Sequence, residues 1–289
     1  SLGNTKIFRG ESPIYQKRNG YSDTSRKPVL KTRFDSPCAR CTLATCSMIF
    51  FLIPVFNEEQ NIERLSMALK SVCTNEDHFF VFSDDGSTDS TKEKIETFFT
   101  DTRYVLLGDG VNRGPGAAFN FGFSWILANH SSELDTVVTL EADGTSDLSI
   151  LPEMLMLSKM KYDLVLASVY AQGGGFTKTT LFRRIASALA NLIFRFAFNV
   201  QVLTLSSFFR VYRVSLLRAL QAKHANNLIS ENGFICMLEI LLKAIHVQAK
   251  IIEVPMRLDS SKRQGKSKMR VAKTMLQYFA FLAKSKKYR

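Results

Sequence analysis

Short apolar runs alternate with helix-like stretches through the first half of the chain, and this alternation constrains the fold most. Three intervals, 57–69, 87–98 and 112–128, have the apolar spacing or the capping residues of a helix. Strands that alternate with helices predict an α/β fold, with a mostly parallel sheet sandwiched by helices. The predicted strands are Met48–Val55, Phe79–Ser83, Tyr104–Leu107, Thr136–Leu140 and Asp163–Ala167.

Polar motifs follow three of these strands. Pro54–Glu59 ends the first, Ser83–Asp89 the second, and Glu141–Asp143 the fourth. In doubly wound sheets, ligands bind at the carboxyl ends of the strands. We therefore expect the three motifs to meet in one cleft.

Asp84 and Asp85 place two carboxylates side by side at a strand end. Adjacent negative charges are unfavourable unless a cation or hydrogen-bond donors satisfy them. Carboxylates suit the base N–H groups and ribose hydroxyls of a nucleotide. The alternative is an Asp-rich turn that caps the next helix, and the acidic motif further along the chain favours the nucleotide.

Glu141 and Asp143 are separated by one residue, which puts both carboxylates on one side of an extended segment. This geometry suits one divalent cation that carries a diphosphate, and Mg²⁺ and Mn²⁺ prefer such oxygen ligands. The metal would neutralise charge on a departing diphosphate. Asp147 is either a further ligand or the cap of the next helix.

The pattern changes after about residue 170. Gly173–Gly175 is a hinge-like run, and Ser260–Lys268 is a polar, basic loop. Leu181–Phe198 is predicted to be an amphipathic helix, which lies either at a membrane surface or against the sheet. Three further elements are predicted: helices at Gly233–Ala244 and Thr274–Ala283, and a strand at Ala249–Pro255.

The net charge of +12 is concentrated at the two ends of the chain. Residues 1–47 carry nine Lys/Arg against three Asp/Glu, and residues 257–289 carry eleven against one. We predict a flexible basic extension over 1–47, a single catalytic domain over 48–275 and a basic tail over 276–289. Basic ends commonly meet phosphates. No nucleic-acid-binding module lies between them, so we expect no nucleic-acid partner.

The cysteine count and the hydropathy bear on location. There are five cysteines, an odd number, and no secretory signal is visible, which predicts a reducing compartment. Cys38 and Cys41 form one Cys-x-x-Cys without an evident partner pair, so a zinc knuckle is the weaker interpretation. No apolar run reaches the roughly 18 residues that span a bilayer. We expect a cytoplasmic protein, with a peripheral position at the cytoplasmic membrane face as an option.

Four motifs together resemble the family 2 glycosyltransferases. They are a strand ending in Pro-x-x-Asn-Glu, a strand ending in Asp-Asp-Gly-Ser-Thr-Asp, an Asn-x-Gly-x-Gly-x-Ala loop, and Glu-x-Asp. The resemblance covers about residues 48–275 and is greatest to the dolichol- or polyprenyl-phosphate mannose and glucose synthases. It implies the GT-A fold, which is a single Rossmann-like domain.

The resemblance also implies roles by position. Arg183 and Lys268 would meet phosphate oxygens, and Asp143 would act with them on the departing diphosphate. Glu141 and Asp143 would hold Mg²⁺ or Mn²⁺. The nucleotide sugar would be bound by Pro54, Asn57, Glu58, Asp84, Asp85, Gly114 and Ala142.

Four positions depart from the family pattern. Glu141 replaces the usual Asp, Thr145 a Gln, Val169 a phosphate-binding Arg, and Thr204 an Asp that often lies near the acceptor. A lipid phosphate is already an anionic nucleophile and needs no base. The absence of that Asp therefore fits a phosphate acceptor better than a sugar hydroxyl, and it fits an inactive homologue equally well.

The expected function is inverting transfer of a hexose from a nucleotide-diphosphate sugar to a polyprenyl phosphate, with the membrane surface as a further partner. The alternatives are a soluble glycosyltransferase with another acceptor, or an inactive nucleotide-sugar-binding homologue.

Overall fold

The computed structural model describes residues 31–33, 47–73, 76–129, 132–224, 227–265 and 271–284. The helices there are α1 Ile62–Val72, α2 Thr91–Phe98, α3 Pro115–Asn129, α4 Leu151–Lys159, α5 Leu181–Phe198, α6 Val214–Lys223, α7 Cys236–His246 and α8 Val271–Lys284. The strands are β1 Lys31–Arg33, β2 Ile49–Val55, β3 His78–Asp84, β4 Tyr104–Leu107, β5 Thr136–Thr139, β6 Leu164–Ser168, β7 Gly175–Thr177, β8 Arg210–Arg213, β9 Ile251–Pro255 and β10 Arg257–Asp259.

Within the described ranges, eight strands form one sheet in the order β1-β4-β3-β2-β5-β8-β6-β9. Strand β2 pairs in parallel with β3 and β5, β3 with β4, and β6 with β9. Strand β8 runs antiparallel between β5 and β6, and β1 runs antiparallel to β4 at the edge. The predicted mostly parallel sheet is confirmed.

Each face of the sheet carries its own apolar core. Phe50 and Leu52 of β2 point to the face that is covered by α3, α5, α6, α7 and α8. Phe51 and Ile53, which alternate with them, point to the face that is covered by α1, α2 and α4. Because side chains alternate along a strand and both faces are covered, β2 is apolar at nearly every position.

The observed boundaries differ from the predicted ones where a loop carries polar contacts. Helix α1 begins at Ile62 rather than at Asn57. Asn57 has a φ of 52°, a left-handed conformation that does not fit a right-handed helix. Residues 57–61 therefore form a loop between β2 and α1.

Several short elements were not predicted from the sequence. Helices α4 and α6 and strands β7, β8 and β10 fall in this group. Strand β8 reads as polar because it begins and ends with arginine, yet Arg210 is fully buried. Its guanidinium donates hydrogen bonds to the carbonyl oxygens of Ser207, Leu205 and Met237.

Strands β7 and β10 pair in parallel outside the main sheet. Gly175, at the end of the predicted hinge-like run, begins β7, and Thr177 pairs with Asp259. Asp259 then caps a short 3-10 turn at Ser260–Lys262, because its side chain accepts a hydrogen bond from the Ser261 amide. This small sheet therefore fixes the chain just before the predicted basic loop, which begins at Ser260.

The predicted N-terminal extension is described only in part. Lys31–Arg33 form the edge strand β1, which the sequence did not indicate. The remainder of 1–46 lies outside the described residues, and so do Cys38, Cys41 and Cys46. Cys73 and Cys236 are buried free thiols.

Helix α5 buries some of its apolar side chains and exposes others. Phe194 and Phe198 are buried, and each lies against an aromatic ring of α8. The apolar stripe of this predicted amphipathic helix points outward, and its five members are between 48 and 80% exposed: Leu181, Ile185, Leu189, Leu192 and Phe196. Among the described residues, no helix combines the length and apolarity that membrane crossing requires.

Candidate active site

An open cavity of about 1200 Å³ lies at the carboxyl ends of β2, β3 and β5. It brings together residues from all three of the predicted polar motifs and from the Gly-rich loop. Asn57 and Asp84 are not part of its lining. The predicted site residues that line it are Pro54, Glu58, Asp85, Gly114, Glu141, Ala142 and Asp143.

Asp84 and Asp85 repel each other, and separate partners offset that repulsion. Asp84 accepts a hydrogen bond from the Ser87 amide at 3.0 Å and pairs with Lys92 at 3.2 Å. Asp85 accepts hydrogen bonds from the amides of Arg113 and Gly114 at 2.7 and 2.9 Å. Burial raises the pKa of Asp85, and these two amides oppose the rise. Asp85 thus anchors the Gly-rich loop beside the cavity.

Asn57 joins two loops rather than lining the cavity. Its main-chain amide donates to Ser87 Oγ at 3.0 Å, and its side-chain Oδ1 accepts from the main-chain amide of Thr88 at 2.8 Å. Glu58 continues this contact, because its amide donates to Thr91 Oγ1 at 2.8 Å. The loop after β2 and the loop after β3 therefore hold each other in place.

The Gly-rich loop packs against the chain that leads into α7. Gly114 has a φ of 102°, and the Gly116 amide donates to the Asn232 carbonyl oxygen at 2.8 Å. A Cβ on Gly116 would collide with the carbonyl oxygen of Glu231. Glycine is therefore required at 116 by close backbone approach.

Glu141 and Asp143 both face the cavity, as their spacing predicted. Burial and the neighbouring Asp143 raise the pKa of Glu141 to about 8. Asp143 is buried, and its Oδ1 accepts hydrogen bonds from the amide and the hydroxyl of Thr145 at 2.9 and 2.8 Å. Two carboxylates in a cleft of this kind are destabilised by burial and by each other, so a cation there is stabilising.

Arg263 supplies a positive charge at this point, and the sequence did not identify it. Its Nε donates to Asp143 Oδ2 at 2.7 Å, and its Nη2 contacts the same oxygen. Although burial lowers it, the pKa of Arg263 is raised overall by Asp143, Glu141 and Glu58. Arg263 belongs to the basic loop 260–268, but nothing in the sequence distinguishes it there from its basic neighbours.

Arg64 and Asn61 are two further contributors that the sequence did not single out. Arg64 donates to the main-chain oxygen of Asp143 at 2.8 Å and to Asn61 Oδ1 at 3.1 Å. Asn61 in turn donates to Glu58 Oε2 at 2.7 Å. These contacts hold the turn that carries Asp143 against the start of α1.

The described residues contain no cluster of three or more His, Cys, Asp and Glu side chains that could enclose a metal. Glu141 and Asp143 nevertheless fit a divalent cation that takes its other ligands from a bound diphosphate, because both are acidic residues that line the cavity. Asp147 is a cap, since its Oδ1 accepts from the Ser149 amide at 3.1 Å.

The remaining predicted phosphate contacts cannot be located in the same way. Arg183 lies in α5, but its side chain is outside the described residues, and Lys268 is outside them entirely. Position 204 is one of the four that differ from the family pattern. The buried Thr204 hydroxyl forms a hydrogen bond with Ser168 Oγ at 2.6 Å. Its amide donates to Glu253 Oε1 at 2.8 Å. Thr204 thus fastens this loop to β6 and β9.

Aromatic side chains form another part of the cavity lining. Phe194 of α5 and Tyr278 of α8 lie with ring centroids 4.9 Å apart. Phe208 stacks on Phe234 at 5.6 Å. One cavity therefore joins the carboxylates at the strand ends to an apolar wall under α5 and α8.

A model of the family described as "Glycosyl transferase family 2" matches residues 50–221, which is more than half of the chain. The chain belongs to glycosyl transferase family 2. The expected α/β, GT-A-type fold and the expected glycosyltransferase class are thereby confirmed.

Two relatives are identical to this glycosyltransferase at about a quarter of the aligned positions. Polyprenol monophosphomannose synthase of Mycolicibacterium smegmatis is 27% identical over 221 residues, which are 75% of this chain and 79% of the relative. Dolichol-phosphate mannosyltransferase of Pyrococcus furiosus is 24% identical over 240 residues, which are 82% of this chain. The matched region spans 63% of the length of the Pyrococcus protein.

Solved structures show the same fold at lower identity. Glucosyl-3-phosphoglycerate synthase of Mycobacterium tuberculosis superposes with a TM-score of 0.57 and 18% identity, covering 83% of this chain and 81% of that one. Its complex with Mn²⁺ and uridine-diphosphate-glucose gives a TM-score of 0.56 at 17% identity, covering 85% and 79%.

Proposed function

We propose that this glycosyltransferase moves a hexose from a nucleotide-diphosphate sugar to a polyprenyl phosphate, with inversion at the anomeric carbon. The proposal rests on one observation above all. A single cavity is lined by Asp85, Glu141 and Asp143 and also by aromatic side chains of α5 and α8. Carboxylates suit a metal-bound nucleotide sugar, and an aromatic wall suits the first isoprene units of a lipid acceptor.

The donor side of the proposal assigns roles to the motif residues. Asp85 and Gly114 would hold the nucleoside, together with Pro54 and Glu58. Glu141 and Asp143 would hold Mg²⁺ or Mn²⁺, which when bound neutralises charge on the diphosphate. A solved relative in fold, the Mycobacterium tuberculosis synthase, was captured with Mn²⁺ and uridine-diphosphate-glucose, which supports this class of donor.

The acceptor side rests on chemistry and on the relatives. A phosphate monoester is anionic near neutral pH and can attack without a protein base. This agrees with Thr204, a buried threonine fastened to Ser168, at a position where a base would otherwise be expected. The two relatives named above are a polyprenol and a dolichol-phosphate mannosyl-transfer enzyme, which supports a lipid phosphate.

A membrane surface is the proposed place for this acceptor, at the cytoplasmic face. The outward apolar stripe of α5 adjoins side chains of the same helix, Ser187, Ala190 and Phe194, that line the cavity. A lipid held at that surface would have a short path from the bilayer to the donor. Arg183 of α5 and Lys268 keep their proposed role at phosphate oxygens.

A soluble acceptor without a lipid chain is the second candidate. One structure of the Mycobacterium tuberculosis synthase contains phosphoglyceric acid, which is a small anionic acceptor without a lipid chain. The large, open cavity would also admit such a molecule. The aromatic lining favours the lipid over this candidate.

Calorimetric titration with a panel of nucleotide-diphosphate sugars, with Mn²⁺ and then with chelator, tests the donor site. We expect one donor to bind only with the cation, and Asp143→Ala to lose that binding. Transfer of radiolabelled hexose from that donor to a polyprenyl phosphate or to phosphoglyceric acid then tests the acceptor. Product from phosphoglyceric acid alone would select the second candidate, and donor binding without transfer to any acceptor would point to an inactive nucleotide-sugar-binding homologue. Failure of every donor to bind would overturn the proposed donor site.

A further inference from the structure

The ion pair between Arg263 and Asp143 lies where the proposed donor site would hold its cation. We propose that Arg263 is a built-in competitor of that cation. Its guanidinium holds the position at Asp143 in the donor-free enzyme and leaves when the metal binds. The inference rests on the proposed metal-dependent donor site and adds a residue that controls when the site is open.

The two oxygens of the Asp143 carboxylate have separate partners. Oδ1 accepts the amide and hydroxyl of Thr145. Oδ2 accepts Nε and Nη2 of Arg263. The oxygen that remains for a metal is therefore the one that the guanidinium uses. A divalent cation and a guanidinium cannot share it, because they need the same space and repel each other.

The exposure of the two side chains indicates which partner moves. The Asp143 side chain is 5% exposed, and the Arg263 side chain is 28% exposed. A buried carboxylate needs a partner at all times, whereas a partly exposed guanidinium can turn into solvent. Arg263 is thus the exchangeable member of the pair.

Gln264, the residue after Arg263, ties the main chain of the same segment to Asn61. The main-chain amide of Gln264 donates to Asn61 Oδ1 at 3.0 Å, and Asn61 Nδ2 donates to the main-chain carbonyl oxygen of Gln264 at 3.0 Å. Upstream, the β7–β10 pairing fixes the chain as far as Asp259. Segment 260–265 is therefore held on both sides of Arg263, and loss of the Arg263 contact should also loosen the adjacent attachment of Gln264 to Asn61.

The competition predicts how cation affinity responds to substitution. Arg263→Gln leaves the Asp143 carboxylate buried without its charged partner, so a cation should bind there more tightly. We expect the affinity for Mn²⁺ alone to rise on the order of tenfold, within the usual range of coupling between two ligands. Arg263→Lys keeps the charge but lacks the two converging donors, and it should fall between wild type and Arg263→Gln.

Mn²⁺ binding can be followed without turnover by the electron paramagnetic resonance signal of the free ion. The matched control is Lys262→Gln, which removes one positive charge from the preceding, exposed position of the same loop. Its affinity for Mn²⁺ should stay within about twofold of wild type, because exposed charges are screened by solvent. In wild type, saturating Mn²⁺ should also speed hydrogen exchange at the Gln264 amide.

The outcomes separate this inference from the proposed function. Equal Mn²⁺ affinity in wild type and Arg263→Gln would overturn the competition and leave the donor site standing. Donor binding that needs no metal in wild type but is lost in Arg263→Gln would make Arg263 a permanent counter-ion, which also overturns it. Failure of every variant to bind Mn²⁺, even with a nucleotide diphosphate, would remove the proposed metal site itself.

Discussion

Glu141 is the residue whose protonation the fold changes most clearly within the neutral range. Its pKa is about 8, against 4.5 for an ordinary glutamate, because of burial and the charge of Asp143. The native protein therefore binds more protons than the unfolded chain between these two pH values. The free energy of unfolding of the metal-free protein should fall as the pH rises from about 4.5 towards 8.

Glu141→Gln tests this directly, since glutamine has nearly the same shape as the protonated acid. In chelator, urea unfolding should show the variant to be more stable than wild type at pH 8, with the difference vanishing near pH 4.5. Glu133→Gln, at an exposed position, should show no such trend. A constant difference at all pH values would mean that Glu141 is charged in the native state.

Within the Gly-rich loop, Gly116 has the least room for a side chain. Gly116→Ala places a Cβ against the Glu231 carbonyl oxygen, so the loop must move away from the chain before α7. We expect a loss of stability of about 1–3 kcal/mol, as for other overpacked sites, and weaker donor binding. Gly175→Ala is the control, because nothing lies within 4 Å of its added Cβ. Urea unfolding and donor titration measure both effects.

Residues of the site were predictable where their motif is local. Asp85, Glu141 and Asp143 each follow a strand, and the parallel sheet brings strand ends together. Arg263 was not predictable, because its contact with Asp143 joins positions 120 residues apart. Asn57 was predicted to bind the donor, which stays a prediction; the structure shows its hydrogen bonds to the next loop.

Elements were predictable where the apolar pattern was long enough. Strands β2 to β6 and helix α5 lie within two residues of their predicted bounds. Strand β8 has only four residues and two arginines, and it forms because it pairs with the distant strands β5 and β6, while the Met237 carbonyl oxygen accepts a hydrogen bond from Arg210. Such long-range partners are absent from a local pattern.

Helix α7 carries a buried ion pair that supports the Gly-rich loop from behind. Lys243 Nζ lies 2.7 Å from Glu239 Oε1, with both side chains under 5% exposed. Glu239 also accepts the amides of Ser230 and Glu231. Lys243→Met leaves that carboxylate buried without its cation, so we expect the free energy of unfolding to fall by about 3–5 kcal/mol.

Urea unfolding followed by the single tryptophan, Trp125, measures this loss. The double variant Glu239→Gln/Lys243→Met should lose less than Lys243→Met, because no unpaired charge remains. Lys159→Met breaks an exposed pair with Glu76 and should cost under about 1 kcal/mol. Equal losses in the buried and exposed pairs would contradict this account of α7.

At the scale of the whole molecule, the described residues leave one apolar face uncovered. The outward stripe of α5 is joined by Leu276 and Phe279 of α8, which are 71 and 51% exposed. Exposed apolar side chains on two helices that pack together favour an interaction site here. The strongly basic segment 257–289 lies in the same part of the chain as α8, which favours an anionic lipid surface as the partner.

The protein should therefore sediment with vesicles that contain phosphatidylserine, and less so at high salt, because salt screens the contribution of the basic residues. Leu189→Glu/Phe196→Glu should weaken vesicle binding at least about tenfold, since each side chain contributes about 1.5–3 kcal/mol when it leaves water. Both are exposed, so stability in urea should not change. Met67→Glu, at an equally exposed position of α1 on the other face of the sheet, should bind like wild type. Equal binding by the double variant would move the membrane contact away from α5. No binding by wild type would overturn the membrane contact and leave this face for a protein partner.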